Sequence, residues 1–182
     1  MLLRYRVDRI PLYEEAVDNW LHQREFCYNP ANTLPLSKFT DVFYDLWFKY
    51  AENCNNNLDY AIFDASLVSH MTNDLMRNYH TRPVELAKHL NKLLNVVCGL
   101  HPIIFYLYSD DVEKRITEAR IARNQPPLGE YSLQFWKERA AMDQEVLPLL
   151  NVDTSWMDIS NGQWGTRQFE IMTRIHPPLS NA

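Results

Sequence analysis

The sequence predicts a helix-rich, three-layer α/β fold built on a short parallel sheet. Two hydrophobic runs without polar alternation, 58–64 and 102–109, are typical of strands covered on both faces. The stretches between the predicted strands have helical periodicity and are far longer than hairpin loops, which favours parallel crossovers. A chain of 182 residues fits one domain, which we place at 1–175, followed by a frayed tail at 176–182.

Local signals place each element in chain order. Ser37 is a favourable N-cap for a helix whose apolar residues recur at three and four positions up to Tyr50. Pro83 begins a further helix, and Gly99 ends it. The other predicted elements are strands at 5–12, 58–64, 102–109 and 152–159 and helices at 12–26, 66–79, 110–124, 132–147 and 167–175.

Charge and glycine content exclude several classes of protein. Asp and Glu number 23 against 18 Lys and Arg, a net charge of -5, so a binder of nucleic acid polymers is not expected. The chain has 4 glycines, and no two of them have the spacing of a phosphate-binding glycine loop. These 182 residues therefore lack the loop that usually holds the phosphates of ATP.

Cysteine usage and hydropathy bear on the compartment. Cys27, Cys54 and Cys98 are odd in number and widely separated, which indicates a reducing environment. Charged residues interrupt the N-terminal apolar residues, so no signal peptide is predicted. The longest uncharged stretch, 93–109, is too short and too interrupted to span a bilayer. We expect a cytoplasmic protein with no membrane partner.

Asp64 stands at the carboxyl end of the predicted strand 58–64, the edge at which open α/β sheets bind ligands. It is a candidate general base or magnesium-associated carboxylate. A cap for the following helix is the alternative, and one residue can serve both roles. His70 lies on that helix and is a candidate substrate-binding residue, with a hydrogen-bonded structural histidine as the alternative.

Three arginines lie beyond the second predicted strand. Along the predicted helix 110–124, an apolar stripe of valine, isoleucine and alanine continues into Arg123, with Arg115 and Arg120 on either side. Guanidinium groups neutralise phosphate charge through bidentate contacts, so the three are candidate phosphate-binding residues. An ordinary solvated helix with surface ion pairs is the alternative.

Aromatic residues carry two further hypotheses. Tyr44 and Trp47 are most simply core residues, and the alternative is a pocket for a planar base. Trp156 and Trp164 are candidates for a dimer or partner surface.

The order of these features resembles the P-loop kinases of the thymidylate kinase and deoxynucleoside kinase group. The matching features are the strand ending in Asp64 and Ser66, the strand 102–109, and an arginine-rich lid helix near 110–124, within a resemblance that covers about residues 58–175. The resemblance implies Asp64 as a base or metal-side acid and the three arginines as phosphate clamps. It also implies ATP, Mg²⁺ and a small nucleoside or nucleotide-like acceptor near Tyr44 and Trp47.

The chain departs from the family pattern in two places. Ala65 stands where deoxynucleoside kinases usually have arginine, and the family's first strand and P-loop have no counterpart in this chain. We therefore expect a truncated or degenerate kinase-like phosphotransferase that binds ATP and Mg²⁺ weakly by itself. The alternative is a non-catalytic interaction or dimerisation module on a kinase-like scaffold, in which the chain forms a homodimer.

Overall fold

A computed structural model describes residues 35–53 and 67–175. The predicted strands at 5–12 and 58–64, the predicted helix at 12–26, the tail at 176–182 and the candidate residue Asp64 lie outside the described residues. The proposed pairing of 58–64 with 102–109 therefore stays a prediction.

The described residues are mostly helical, with one short parallel sheet. In chain order the elements are α1 (Leu36–Asn53), α2 (Leu67–Tyr79), α3 (Pro83–Val96), β1 (Ile103–Tyr108), α4 (Val112–Ala122), α5 (Glu130–Val146), β2 (Asp153–Asp158) and α6 (Trp164–Ile175). Short 3₁₀ turns occupy Cys98–Leu100 and Leu147–Leu149. The coarse prediction of a helix-rich α/β chain is confirmed. Among the described helices, none is both long and apolar enough to cross a membrane.

The chain divides into two compact units. The first contains α1, α2 and α3 up to Pro102, together with residues 149–151. Its helices bury their apolar faces against α3, which contacts both α1 and α2. The most deeply buried side chains of this unit are Phe39, Trp47, Met71, Leu75, Leu86, Leu90 and Leu93.

The second unit contains the sheet. β1 and β2 are hydrogen-bonded in parallel, with a register that runs from Ile103 opposite Asp153 to Tyr108 opposite Asp158. The crossover between them consists of α4 and α5, which pack on each other, and α6 follows β2. A strand that pairs in parallel needs such a helical crossover, as the spacing of the sequence predicts. Its observed partner is the strand predicted at 152–159.

Two helix ends differ from the prediction. Gly99 lies inside the 3₁₀ turn after α3, and the left-handed residue that closes the turn is His101, with a φ of 50°. The prediction that Gly99 ends α3 is therefore wrong, because the chain tightens into a 3₁₀ turn before it reverses. Ser37 lies within α1, since the helix begins at Leu36 and the Pro35 carbonyl already accepts from the Phe39 N–H.

Helix α4 ends in a regular left-handed cap. Asn124 has a φ of 52°, its N–H donates to the Ile121 carbonyl at 3.1 Å, and the Gln125 N–H donates to the Arg120 carbonyl at 2.9 Å. This pair of bonds is the Schellman arrangement, in which asparagine tolerates the left-handed position. Arg123 consequently occupies the C-cap and stands just beyond the last helical residue.

Candidate functional site at the carboxyl edge of the strands

The parallel strands end at one common edge. Tyr108, the last residue of β1, lies opposite Asp158, the last residue of β2. Just beyond these ends lie Ser109 and Ser160 respectively. Loops after the carboxyl ends of parallel strands are where α/β sheets place ligands, so this edge is the natural position for a site.

Two serine hydroxyls join the loops that leave the strands. Ser109 Oγ and Ser160 Oγ are 3.4 Å apart. Ser160 Oγ also accepts from the Asp110 N–H at 3.2 Å, and Ser109 Oγ accepts from the Asp111 N–H at 3.2 Å. The hydroxyls thus accept hydrogen bonds from backbone N–H groups that lie beyond the last hydrogen bond of the sheet.

The loop after β2 has its backbone groups occupied. The Ile159 N–H donates to the Tyr108 carbonyl at 2.9 Å, which extends the ladder one residue beyond the strands. The Ser160 N–H donates to Asp158 Oδ1 at 2.8 Å, and the Gly162 N–H donates to the Ile159 carbonyl at 3.1 Å. A loop tied at successive residues loses conformational freedom before any ligand arrives, which is the condition for a preorganised site.

Two arginines from different helices donate hydrogen bonds to the backbone at the end of β2. Arg115 of α4 donates to the Ser160 carbonyl, and Arg167 Nε of α6 donates to the Asp158 carbonyl at 2.7 Å. Each guanidinium also pairs, at 2.9 Å, with the glutamate three residues later on its own helix. We call Ser109, Asp158, Ser160 and these two arginines the strand-end site.

The electrostatics of the strand-end site favour an ionised carboxylate. Hydrogen bonds from Ser160 hold the pKa of Asp158 below its usual value, and the charges of Arg167 and Arg115 lower it further. The arrangement brings two hydroxyls and two guanidinium groups to the loops that follow the strands. It can orient a hydroxyl-bearing or anionic group, and its cationic charge is already partly balanced by protein carboxylates.

The other two candidate arginines lie elsewhere on α4. Arg120 Nε donates to the Pro126 carbonyl, so it holds the loop after the helix. Arg123 is exposed at the C-cap, and Ala119 before it is also exposed. The stripe that the sequence predicts as inward-facing is half-buried only at Val112 and Ile116. Of the three arginines, the structure therefore brings Arg115 alone to the strand-end site.

The predicted substrate-binding residues belong to the helical unit. Tyr44 and Trp47 are buried core residues of α1, and His70 is half-buried on α2. The Tyr44 hydroxyl and His89 Nδ1 form a hydrogen bond at 3.1 Å, and Lys92 Nζ lies 4.2 Å from the Tyr44 ring centroid. Burial raises the pKa of Tyr44 and lowers the pKa of His89. A role for Tyr44, Trp47 and His70 in substrate binding stays a prediction.

A second polar cluster is buried behind β1. Arg139 Nε donates to Asp143 Oδ1 at 2.9 Å, and the two side chains are 7% and 10% exposed. The Tyr106 hydroxyl forms a hydrogen bond with Asp143. Burial raises the pKa of Asp143, against the opposing charge of Arg139, and raises the pKa of Tyr106 to about 12. The cluster is internally satisfied and suits a structural role.

A divalent metal ion is an alternative partner for a carboxylate at a strand end. Across residues 35–53 and 67–175, no group of three His, Cys, Asp or Glu side chains could hold a metal. Magnesium prefers carboxylate and phosphate oxygens, whereas the Asp158 carboxylate lies beside two guanidinium groups that repel a cation. The strand-end site suits an anionic or hydroxyl-bearing ligand better.

Sequence reasoning missed four members of the strand-end site. Asp158 lies near the end of the strand predicted at 152–159 and Ser160 directly follows that strand, so the rule that singled out Asp64 applies equally to them. The same rule applies to Ser109, which is the last residue of the predicted strand 102–109. Arg167 carries no such signal, because its place beside Asp158 depends on how the chain turns at Gly162, which has a φ of 67°.

Comparisons of the chain with protein-family models, with curated proteins and with solved structures found no match. The resemblance to P-loop kinases therefore stays a prediction from the order of the sequence motifs.

Proposed function

We propose that the chain is the acceptor and lid portion of a phosphotransferase related to nucleoside and nucleotide kinases. The observation that carries the proposal is the position of α4, which begins four residues after the end of β1 and sends Arg115 to the strand-end site. Phosphoryl transfer depends mainly on positioning and on neutralising charge, and arginines at a strand edge suit both tasks.

The geometry refines the roles of the arginines. Arg115 already donates to the Ser160 carbonyl and to Glu118, so we assign it to positioning the loop after β2. Arg123 is exposed at the end of α4 and has the freedom to meet a phosphate. Asp64 remains the proposed base. Since these 182 residues contain no phosphate-binding glycine loop, we assign the binding of ATP to a further polypeptide segment.

The test is transfer of the γ-phosphate from radiolabelled ATP to a panel of nucleosides and nucleoside monophosphates. Two proteins are assayed: the 182-residue chain, and the chain extended by any in-frame coding sequence that precedes it. We expect transfer with the extended protein and little with the chain alone. Absence of transfer to every acceptor by both proteins would contradict the proposal.

Variants on α4 test the assignment of roles in the active protein. Arg123→Ala should lower turnover at least about tenfold, because a charge-assisted phosphate contact is lost. The matched control is Lys114→Ala, which removes an exposed cation from the first turn of the same helix. Equal turnover in the two variants would remove Arg123 from the mechanism.

A second candidate function is supported by exposed aromatic side chains. Trp156, Trp164 and Phe169, which lie on β2 and α6, are 41%, 55% and 72% exposed. They favour an interaction module whose partner is a second copy of the chain. Sedimentation velocity across a concentration series would reveal a dimer that Trp164→Ser weakens and Tyr131→Ser, a change at an exposed aromatic on α5, leaves intact.

A further inference from the structure

A three-residue segment belongs to a different unit from the chain on either side of it. Residues 149–151 group with the helical unit, whereas 103–148 and 152 onward group with the unit that contains the sheet. The segment starts at the last residue of the 3₁₀ turn Leu147–Leu149 and precedes β2. We call residues 149–151 the strap.

The strap is fastened to α3 by one side chain. Asn91 Nδ2 donates to the Leu149 carbonyl at 2.9 Å, and the Asn151 N–H donates to Asn91 Oδ1 at 2.7 Å. A carboxamide has one donor group and one acceptor group, as a peptide unit does, so Asn91 pairs with the strap as a neighbouring strand would. The joined residues are 58 and 60 positions apart in sequence, and the contact is therefore tertiary.

Of the three residues of the strap, one is buried and two are exposed. Leu150 is 8% exposed and lies between the two residues that bond to Asn91, whereas Leu149 is 46% exposed and Asn151 is exposed. Opening the strap breaks two solvent-accessible hydrogen bonds and exposes one leucine. Local openings of this size occur within folded proteins far more often than global unfolding.

The ladder of β2 does not depend on the strap. β2 is held along its length by hydrogen bonds to β1, beginning at Asp153, and Asp153 is also paired with Arg174 of α6. These contacts all lie within the second unit. The strap can consequently detach from α3 while the sheet remains paired.

We propose that residues 149–151 act as a releasable strap, which opens within the folded protein and whose closed fraction is set by the carboxamide of Asn91. When the strap is open, the chain between α5 and β2 is released from α3. The device is thus a conformational switch built into the connection from α5 to β2. It is independent of the proposed phosphoryl transfer.

Amide hydrogen exchange of the full chain, resolved by residue with NMR, tests the proposal. The Asn151 N–H is the reporter because it donates directly to Asn91. In the natural protein we expect it to exchange at least about tenfold faster than the amide of Met157, which the parallel register and the bond from the Ile159 N–H to the Tyr108 carbonyl turn toward β1, because the strap opens without unfolding the sheet. Equal rates at the two amides would overturn the proposal.

Three variants distinguish a local effect of Asn91 on the strap from an effect on the stability of the whole protein. Asn91→Ala should speed exchange of the Asn151 amide at least about tenfold and leave the Met157 amide unchanged. Asn91→Asp retains the acceptor and loses the donor, so Asn151 should remain protected even if the alanine variant folds poorly. The control is Asn95→Ala, at an exposed asparagine one turn later on α3. A uniform rise at both reporter amides, or no rise in Asn91→Ala, would refute the strap.

Discussion

Removing the cation from the buried Arg139–Asp143 pair should destabilise the protein in a pH-dependent manner. The substitution is Arg139→Met, which keeps an unbranched apolar side chain of comparable length and removes the charge. The two side chains are 2.9 Å apart and at least nine-tenths buried, so water cannot replace the lost partner of the Asp143 carboxylate. The folded variant must either bury an unpaired charge or protonate the carboxyl group.

Protonation sets an upper bound on the loss of stability. An unfolded aspartate has a pKa of about 3.9, and holding it protonated costs about 1.4 kcal/mol for each pH unit above that value. The bound is about 4 kcal/mol at pH 7 and about 1.5 kcal/mol at pH 5. In the natural protein, the attraction within the buried ion pair roughly offsets the cost of removing both charges from water. We therefore expect Arg139→Met to lower the free energy of unfolding by about 3–4 kcal/mol at pH 7 and by half of that or less at pH 5.

Urea denaturation followed by tryptophan fluorescence at pH 7 and pH 5 measures both losses. The control is Lys137→Met on the same helix, because Lys137 and Glu113 form an exposed ion pair at 2.7 Å. That change should cost about 1 kcal/mol or less at either pH. A loss below about 1 kcal/mol for Arg139→Met at pH 7, or an equal loss at both pH values, would refute the bound and the burial on which it depends.

Three further predictions concern other parts of the molecule. Burial lowers the pKa of His89 below its unfolded value of about 6.5. The stability that neutral His89 contributes is therefore present above about pH 6.5 and is lost as the pH falls through the folded pKa. His89→Gln should reduce this dependence of the free energy of unfolding on pH, as measured by urea titrations at several pH values. Gly162→Ala should cost about 1 kcal/mol in thermal unfolding because φ is 67° there, whereas Gly99→Ala should be neutral or slightly stabilising, since an added Cβ meets no atom within 4 Å. Calorimetric titration of the 182-residue chain with magnesium ATP should yield no micromolar binding, and a micromolar dissociation constant would require a phosphate site outside any glycine loop.

Much of the secondary structure was predictable because it depends on local chemistry. Pro83 occupies the start of α3, where its missing N–H is harmless, and the apolar run before Ser109 forms β1. The end of α3 was not predictable from glycine alone. His101 adopts the left-handed conformation in place of Gly99, because the 3₁₀ turn decides which residue must reverse the chain.

The polar clusters of the structure are held by tertiary contacts, which the helical spacing of residues in the sequence does not predict. Arg139 and Asp143 are four positions apart on α5, a spacing that normally indicates a surface ion pair, yet both are buried beside Tyr106. Their burial depends on which face of α5 meets β1. Arg167 likewise joins Asp158 through the turn at Gly162. A rule about strand ends covers Asp158, although the sequence analysis applied it only to Asp64, and no such rule covers side chains such as Arg167 that return to the strand end from a later helix.

The parallel pairing of the strands has a consequence for synthesis of the protein. β1 ends at Tyr108 and its observed partner begins at Asp153, so the ribosome adds residues 109–152 between them, which takes about 2–9 s at about 5–20 residues per second. After the segment Ile103–Tyr108 leaves the ribosome, the same time passes before β2 emerges, and meanwhile this run of aliphatic and aromatic residues lacks the β2 ladder and is open to pairing with neighbouring nascent chains. Asp110 and Asp111 come almost directly after it, and their charges act as gatekeepers against such pairing. Expression at a low rate, with chaperones in excess, should therefore raise the recovery of folded protein.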